Sequence, residues 1–170
     1  MTRIEIARQA FIKMKTMFVN RDLSLDLRRR ALRCYVLSTL LYGIESWTLK
    51  ADNIKKLESF EMWCHRTILK IPWTQRVTNA EVLRRLQKDC EVIKHIKTRK
   101  LEYLDHITRC AKYEILRLIM QGKIRGKRSI GRRRISWLRN LREWYSCSSV
   151  DLFRAAANKV RIAVMNSNLR

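Results

Sequence analysis

Apolar side chains recur along this chain at intervals of three and four, the spacing that gathers them on one face of an α-helix. Ile4, Ala7, Phe11, Met14 and Phe18 form the first such stripe and predict one helix from Arg3 to Phe18, ended by Asn20-Arg21-Asp22. Ser24 stands where a second helix would be capped. That helix runs through Leu27, Ala31, Cys34 and Tyr35 into an apolar stretch ending near Gly43. Apolar nearly all round, its second half is expected to be buried, and Tyr42-Gly43 reads as a helix end with glycine in the left-handed region.

After Asp52 a third helix carries Ile54, Leu57, Glu61, Cys64 and Ile68 on one side, with Phe60 and Trp63 beside them. Pro72 is expected to stop it. Thr78-Asn79-Ala80-Glu81 reads as a capping box in which Thr78 accepts a free backbone N–H and Glu81 reaches back. It opens a short helix to Leu86. A longer one, about Glu91 to Cys110, has Ile93, Ile96, Lys100, Tyr103, Ile107 and Cys110 on one face. Tyr113 to Met120 and Ile135 to Tyr145 follow, the second with a stripe of Trp137, Leu138, Leu141 and Trp144. Ser148-Ser149-Val150-Asp151 is a second capping box. The last helix is expected to take in Leu152, Phe153, Ala156, Val160 and Val164.

No stretch alternates long enough to be a strand, and one proline and four glycines in 170 residues favour long helices. The fold class is therefore all-α, divided into a helical region 1–72, a helical connector 73–121, and a basic loop with C-terminal helices over 122–170. Apolar residues make up 46% of the chain, too many for a disordered basic tail. Five widely spaced cysteines do not make a disulfide framework and fit a reducing compartment. The longest apolar stretch, Cys34 to Ile44, is too short to span a membrane, and charges from Arg3 onward rule out a secretory leader pattern. The expectation is an intracellular protein, nuclear or cytoplasmic, without a membrane partner.

Charge sharpens the picture. Lys and Arg number 38 against 15 Asp and Glu, a formal charge of +23. Between Ile115 and Arg142 there are ten basic residues and no acidic one, interleaved with three of the four glycines. Such a run repels itself unless a polyanion neutralises it. The candidate nucleic-acid-binding residues are Lys123, Arg125, Lys127, Arg128, Arg132, Arg133, Arg134, Arg139 and Arg142, with Trp137 as the candidate for stacking on a base. Phosphate contacts of this kind are sequence-independent, so RNA, DNA and RNA–DNA hybrid are all candidate partners. Trp47, Trp63, Trp73, Trp137 and Trp144 each lie beside an apolar stripe, so most of them read as core residues.

Other chemistry is weaker. Cys90, His95, His106 and Cys110 invite a zinc reading, but their spacing fits no compact finger and Cys110 lies on an apolar stripe. Cys64 and His65 are neighbours on a helix, so their side chains diverge by about 100° and do not pair as nucleophile and base. Neither a metal nor a cofactor is expected.

Three blocks carry a resemblance. They are Ser24-Leu25-Asp26-Leu27-Arg28 through Val36 to Leu40-Leu41-Tyr42-Gly43-Ile44-Glu45-Ser46-Trp47; Lys56 to Arg66 with Ile68-Leu69-Lys70-Ile71-Pro72-Trp73 and Val77 to Leu83; and Gly126-Lys127-Arg128-Ser129-Ile130-Gly131-Arg132-Arg133-Arg134-Ile135-Ser136-Trp137-Leu138. In order and spacing they resemble the C-terminal, thumb and post-thumb part of non-LTR (LINE-type) retrotransposon reverse transcriptases, over nearly the whole chain. The resemblance implies a thumb-like helical bundle followed by a basic nucleic-acid-gripping region, with endonuclease, fingers and palm expected before Met1. Polymerases of that family hold divalent metal on palm aspartates, two of them adjacent. This chain has six aspartates and no adjacent pair, so it is expected to be a non-catalytic piece of an RNA-directed DNA polymerase. Two alternatives stand beside this one: a relic reading frame of a decayed element without selected function, and a basic helical module that docks on acidic proteins or anionic membrane.

Overall fold

The structure, a computed structural model, describes residues 2–87, 89–123 and 136–167. They are all-helical, with no strand among the described residues. The helices are α1 (Thr2–Lys13), α2 (Lys15–Val19), α3 (Leu25–Ala31), a π-helical turn (Leu32–Leu37), α4 (Ser38–Leu40), α5 (Ala51–Ile68), α6 (Asn79–Leu86), α7 (Val92–Arg109), α8 (Glu114–Gln121), α9 (Trp137–Tyr145), α10 (Ser149–Ala156) and α11 (Lys159–Ser167). Three short 3₁₀ turns, Ile44–Ser46, Trp73–Gln75 and Ala111–Tyr113, lie between them. Among the described residues no helix is long and apolar enough to cross a membrane. The chain divides into two compact units, one of residues 1–43 and 51–93, the other of residues 44–50 and 94–170.

In the first unit α1 packs along the π-helical turn and α4, burying Ala7 and Phe11 against a segment that itself buries Leu32, Val36, Leu37 and Leu40. The predicted first helix is in fact two. Met14 leaves the helical region (φ −105, ψ 12), and its N–H closes onto the Phe11 carbonyl at 3.1 Å. Phe18 then stacks on Phe11 with ring centroids 4.6 Å apart, and Trp63 of α5 meets Phe11 at 4.9 Å. Full burial of each phenylalanine contributes about 1.5–3 kcal/mol. Ser24 caps α3 as expected, its hydroxyl accepting from Leu27 N–H at 3.3 Å. Gly43 adopts φ 66 at the end of the apolar stretch, a region that favours glycine.

Pro72 does not end α5. Lys70 does, in the left-handed region (φ 55): its N–H bonds the Thr67 carbonyl, and the Ile71 N–H reaches back to Arg66 at 2.9 Å. This double closure satisfies the last free carbonyls of the helix. Thr78 caps α6 by accepting from Glu81 N–H at 3.3 Å. The Glu81 carboxylate turns forward rather than back, onto Arg84 and Arg85 at 2.7 and 2.8 Å. Met62, Ile71, Val82 and Leu86 make a small core between α5 and α6.

Glu61 explains why a carboxylate sits on the apolar stripe of α5. It is buried and accepts the backbone N–H groups of Glu91 (2.7 Å) and Val92 (3.2 Å) at the start of α7. A carboxylate there also meets the positive end of the helix dipole. Burial raises its pKa, against the lowering by the two N–H donors. Arg33 grips the exposed side of Glu91 with two hydrogen bonds, at 2.9 and 2.6 Å.

The second unit packs α9, α10 and α11 around the later part of α7. Leu101 and Leu104 meet Leu141, Leu152, Ala155, Ala156 and Ile162. Ser148 caps α10, accepting from Asp151 N–H at 3.1 Å and donating to the Asp151 carboxylate at 2.6 Å. The predicted last helix is broken. The side-chain oxygen of Asn158 accepts from Val160 and Arg161 N–H at 3.0 and 3.4 Å and starts α11 anew. The restart shifts the helical phase, so Ile162 is buried while Val160 and Val164 face solvent.

His65 beside Glu61 gives a pH test of the first unit. Burial lowers its pKa from 6.5 to about 4, and its Nδ1 has no hydrogen-bond partner among the described residues. A neutral buried histidine contributes fully above the unfolded pKa, and that contribution is lost as pH falls from 6.5 towards 4, because only the unfolded chain then gains the proton. At about 1.4 kcal/mol per unit, the loss is about 1–3 kcal/mol. Urea denaturation at pH 7 and pH 5 is expected to show a smaller acid loss in His65→Leu than in the native chain. An equal loss in both would refute this assignment.

Candidate nucleic-acid interface

Two anchored helix ends lie inside the basic run, on either side of its centre. On its N-terminal side α8 finishes at Gly122 (φ 70). The Gly122 N–H bonds Ile119 O at 3.1 Å and the Lys123 N–H bonds Leu118 O at 3.0 Å, the same double closure as at Lys70. On its C-terminal side Ser136 caps α9, accepting from Arg139 N–H at 3.2 Å. Of the candidate residues, Lys123, Trp137, Arg139 and Arg142 are described. Arg125, Lys127, Arg128, Arg132, Arg133 and Arg134, with the glycines Gly126 and Gly131, lie outside the described residues.

Lys123 and Arg142 are exposed. Arg139 is exposed too, with its Nε donating to Glu143 at 2.6 Å. A surface pair of this kind is worth about 0–1 kcal/mol, so Arg139 can exchange its partner for a phosphate at little cost. Arg117, upstream on α8, donates to the Thr108 carbonyl at 3.2 Å and keeps its full charge in doing so.

Trp137, the candidate for stacking on a base, has partners within its own unit. Its indole N–H donates to the Glu45 carbonyl at 2.6 Å, its ring meets Tyr103 edge-on at 6.1 Å, and the Lys100 ammonium sits 4.8 Å from its centroid. The ring is thus committed to the unit's own packing.

Lys100 is the centre of that packing. Its relative exposure is 0%, although it is a lysine on the apolar face of α7. The ammonium donates to Trp47 O at 2.7 Å and to Asn140 Oδ1 at 3.2 Å, and it lies over Trp144 (5.2 Å) as well as Trp137. Asn140, buried on α9, also receives the Leu49 N–H at 2.9 Å and donates to the Leu49 carbonyl at 2.8 Å. One lysine and one asparagine thereby join α7, α9 and the segment 44–50. Burial lowers the Lys100 pKa from 10.5 to about 8. Two indole faces and two oxygen acceptors favour the charged form, and at neutral pH the group is an ammonium.

Sequence reasoning placed Lys100 and Trp137 on stripes without seeing that they meet. Core packing, read for most of the tryptophans, does not extend to Trp73, which is 89% exposed. The zinc reading gains no geometry: among the described residues no three His, Cys, Asp or Glu side chains gather as a metal group. His106 instead packs its ring on Tyr113, with centroids 5.3 Å apart. The Cys64 thiol is buried, and burial pushes its pKa up, away from the nucleophilic thiolate.

Comparison of the chain with protein-family models, with curated proteins and with solved structures found no match.

The polar network sets an order of stabilities. Asn140→Leu orphans the Leu49 N–H and carbonyl and removes an acceptor from a buried charge. It is expected to cost about 3–5 kcal/mol. Lys100→Met removes the charge together with its need for partners and is expected to cost less, about 1–2 kcal/mol. Urea unfolding of the two variants, followed by tryptophan fluorescence, checks the order, and a costlier Lys100→Met would contradict it.

Proposed function

We propose that this chain is a non-catalytic nucleic-acid-binding piece of a LINE-type reverse transcriptase, corresponding to its thumb and post-thumb part. Its task is to hold RNA, DNA or their hybrid by phosphate contacts, without reading sequence. The observation that carries the proposal is the run of ten cations without an anion between Ile115 and Arg142. Exposed Lys123, Arg139 and Arg142 extend the same charge onto the described surface. The family assignment rests on the three sequence blocks and their order.

Metal-assisted phosphoryl transfer, the chemistry of that family, requires carboxylates gathered to hold divalent cations. Among the described residues the aspartates are dispersed: Asp105 is held by Arg109 through two hydrogen bonds, Asp26 pairs with Arg29, and Asp151 bonds its own cap. The proposed role is accordingly grip rather than catalysis, and the purified chain is expected to show no primer extension.

Binding by neutralisation of about five to eight phosphates gives a log–log salt slope of about −4 to −7. Replacing Arg132, Arg133 and Arg134 by Ala is expected to flatten that slope by up to about three. Fluorescence anisotropy on duplex, hybrid and single-stranded ligands over a salt series measures both quantities. A slope unchanged in the triple variant would remove the run from the contact.

A further inference from the structure

We infer that the first unit carries a second nucleic-acid subsite, a stacking seat for an unpaired nucleotide built around Trp73. The site is distinct from the basic run and is described throughout. After the Lys70 closure of α5, Pro72 (φ −72) leads into the 3₁₀ turn Trp73–Gln75. Gln75 N–H bonds Pro72 O at 3.2 Å and Arg76 N–H bonds Trp73 O at 3.3 Å, with Arg76 itself in the left-handed region (φ 47). The turn is tied at both ends, yet the indole it presents is 89% exposed, the most exposed of the large apolar side chains. Trp63 shows the contrast. It packs against Phe11 and Phe60 and keeps only 36% of its surface.

Trp73 and Trp63 line one groove, of about 870 Å³, together with Met62, Arg66, Arg76 and Asn79. That volume is within the range of small-ligand sites, about 300–1,000 Å³. Arg66 is preset. Its Nη2 donates to Val77 O at 2.7 Å and to Asn79 Oδ1 at 2.9 Å, so the guanidinium is fixed in the groove wall by neutral acceptors. Among the described residues no carboxylate pairs with Arg66 or Arg76, and the carboxylate on the first turn of α6, Glu81, is taken by Arg84 and Arg85. The groove thus offers an aromatic face to a flat ring and two arginine charges to an anion.

A nucleobase joined to its phosphate has both features, and only an unpaired one has a free face. In a duplex both faces of each base are covered by neighbours. Stacking on tryptophan is tolerant of base identity, and the groove walls present no set of donors and acceptors that would select one base. The occupant is therefore a single-stranded stretch of RNA or DNA, bound without sequence preference.

Because the Trp73 side chain buries almost nothing, replacing it leaves the fold intact, and an unchanged melting temperature confirms this. The test is anisotropy of labelled oligouridine and oligothymidine, and of a duplex of equal length, on the full chain. Trp73→Ala is expected to weaken single-strand binding by about 5–20-fold and to leave duplex binding unchanged, while Trp73→Phe restores most of the loss. Arg76→Gln, a residue that Gln87 shows to be compatible with this backbone (φ 52), is expected to reduce the single-strand salt slope by about one. The inference is overturned if Trp73→Ala changes single-strand affinity less than twofold, or if it weakens duplex and single strand alike. It is also overturned if uridine monophosphate binds as tightly as the oligomer. A chain that keeps a steep duplex salt slope but ignores the Trp73 change loses this subsite and retains the basic run. One whose Arg132, Arg133 and Arg134 variant binds duplex normally loses the run, and the Trp73 difference is then decided by its own measurement.

Discussion

An ammonium group taken wholly out of water dictates the construction of the second unit. The effective penalty for burying an ion is several kcal/mol even after relaxation, and Lys100 has no carboxylate among its hydrogen-bond partners to offset it. The compensation comes in pieces: a backbone carbonyl from Trp47, an amide oxygen from Asn140, and the faces of Trp137 and Trp144. Those pieces lie on the segment 44–50 and on α9, so the charge is satisfied only when α7, that segment and α9 have come together. An apolar side chain at the same place would tolerate many packings. A lysine there tolerates few, which makes the cost of burial a source of specificity.

Glu61 imposes the same logic on the first unit with the opposite sign. A buried carboxylate on α5 is satisfied by the first N–H groups of α7, and its burial is also what terminates that helix correctly. Both charged residues were visible in the sequence as anomalies, each at a position that helical spacing assigns to an apolar face. Their partners were not visible. Glu91 is 30 residues from Glu61, and Trp47 and Asn140 are 53 and 40 residues from Lys100. Periodicity along one helix shows that such a residue will be buried; it carries no information on which distant backbone will meet it.

The same boundary between local and non-local signals separates what was legible elsewhere. The all-helical class and the caps at Ser24, Thr78 and Ser148 follow from spacing and side-chain chemistry over a few residues, and the structure has them. Helix ends were harder, because this glycine-poor chain closes helices on Lys70, Gln87 and Ser146 in the left-handed region, where a sequence reader looks for glycine. Pro72 drew attention away from Lys70 for that reason. Asn158 broke the last helix with no proline or glycine to mark it. The tryptophans divide in the same way. Trp137 is drawn inward by Lys100, a residue on another helix, and Trp73 is left outside by a closure two residues before Pro72. For the run itself, charge and glycine content were legible without any structure, and the described residues add the helix ends at Gly122 and Ser136.

Hydrogen bonding within the protein does little to relieve the positive charge. Several cations donate to neutral carbonyl oxygens: Arg28 to Ile68, Arg66 to Val77, Lys100 to Trp47 and Arg117 to Thr108. Such bonds use donors and orient the side chain, but they cancel no charge. Carboxylates can cancel it, and 15 of them stand against 38 Lys and Arg, with Glu61 already spent on a helix start. Pairing within the chain therefore has an upper limit well below neutrality. Cations that neutralise the phosphates of a nucleic acid release the counterions condensed on that polyanion, and binding gains the entropy of their release. This gain grows with the number of cations that one ligand can reach, and the sequence sets ten in succession without an anion between Ile115 and Arg142. The proposed grip on nucleic acid rests on that arithmetic of charge, while the stacking seat at Trp73 rests on an aromatic face, and the two need not rise or fall together.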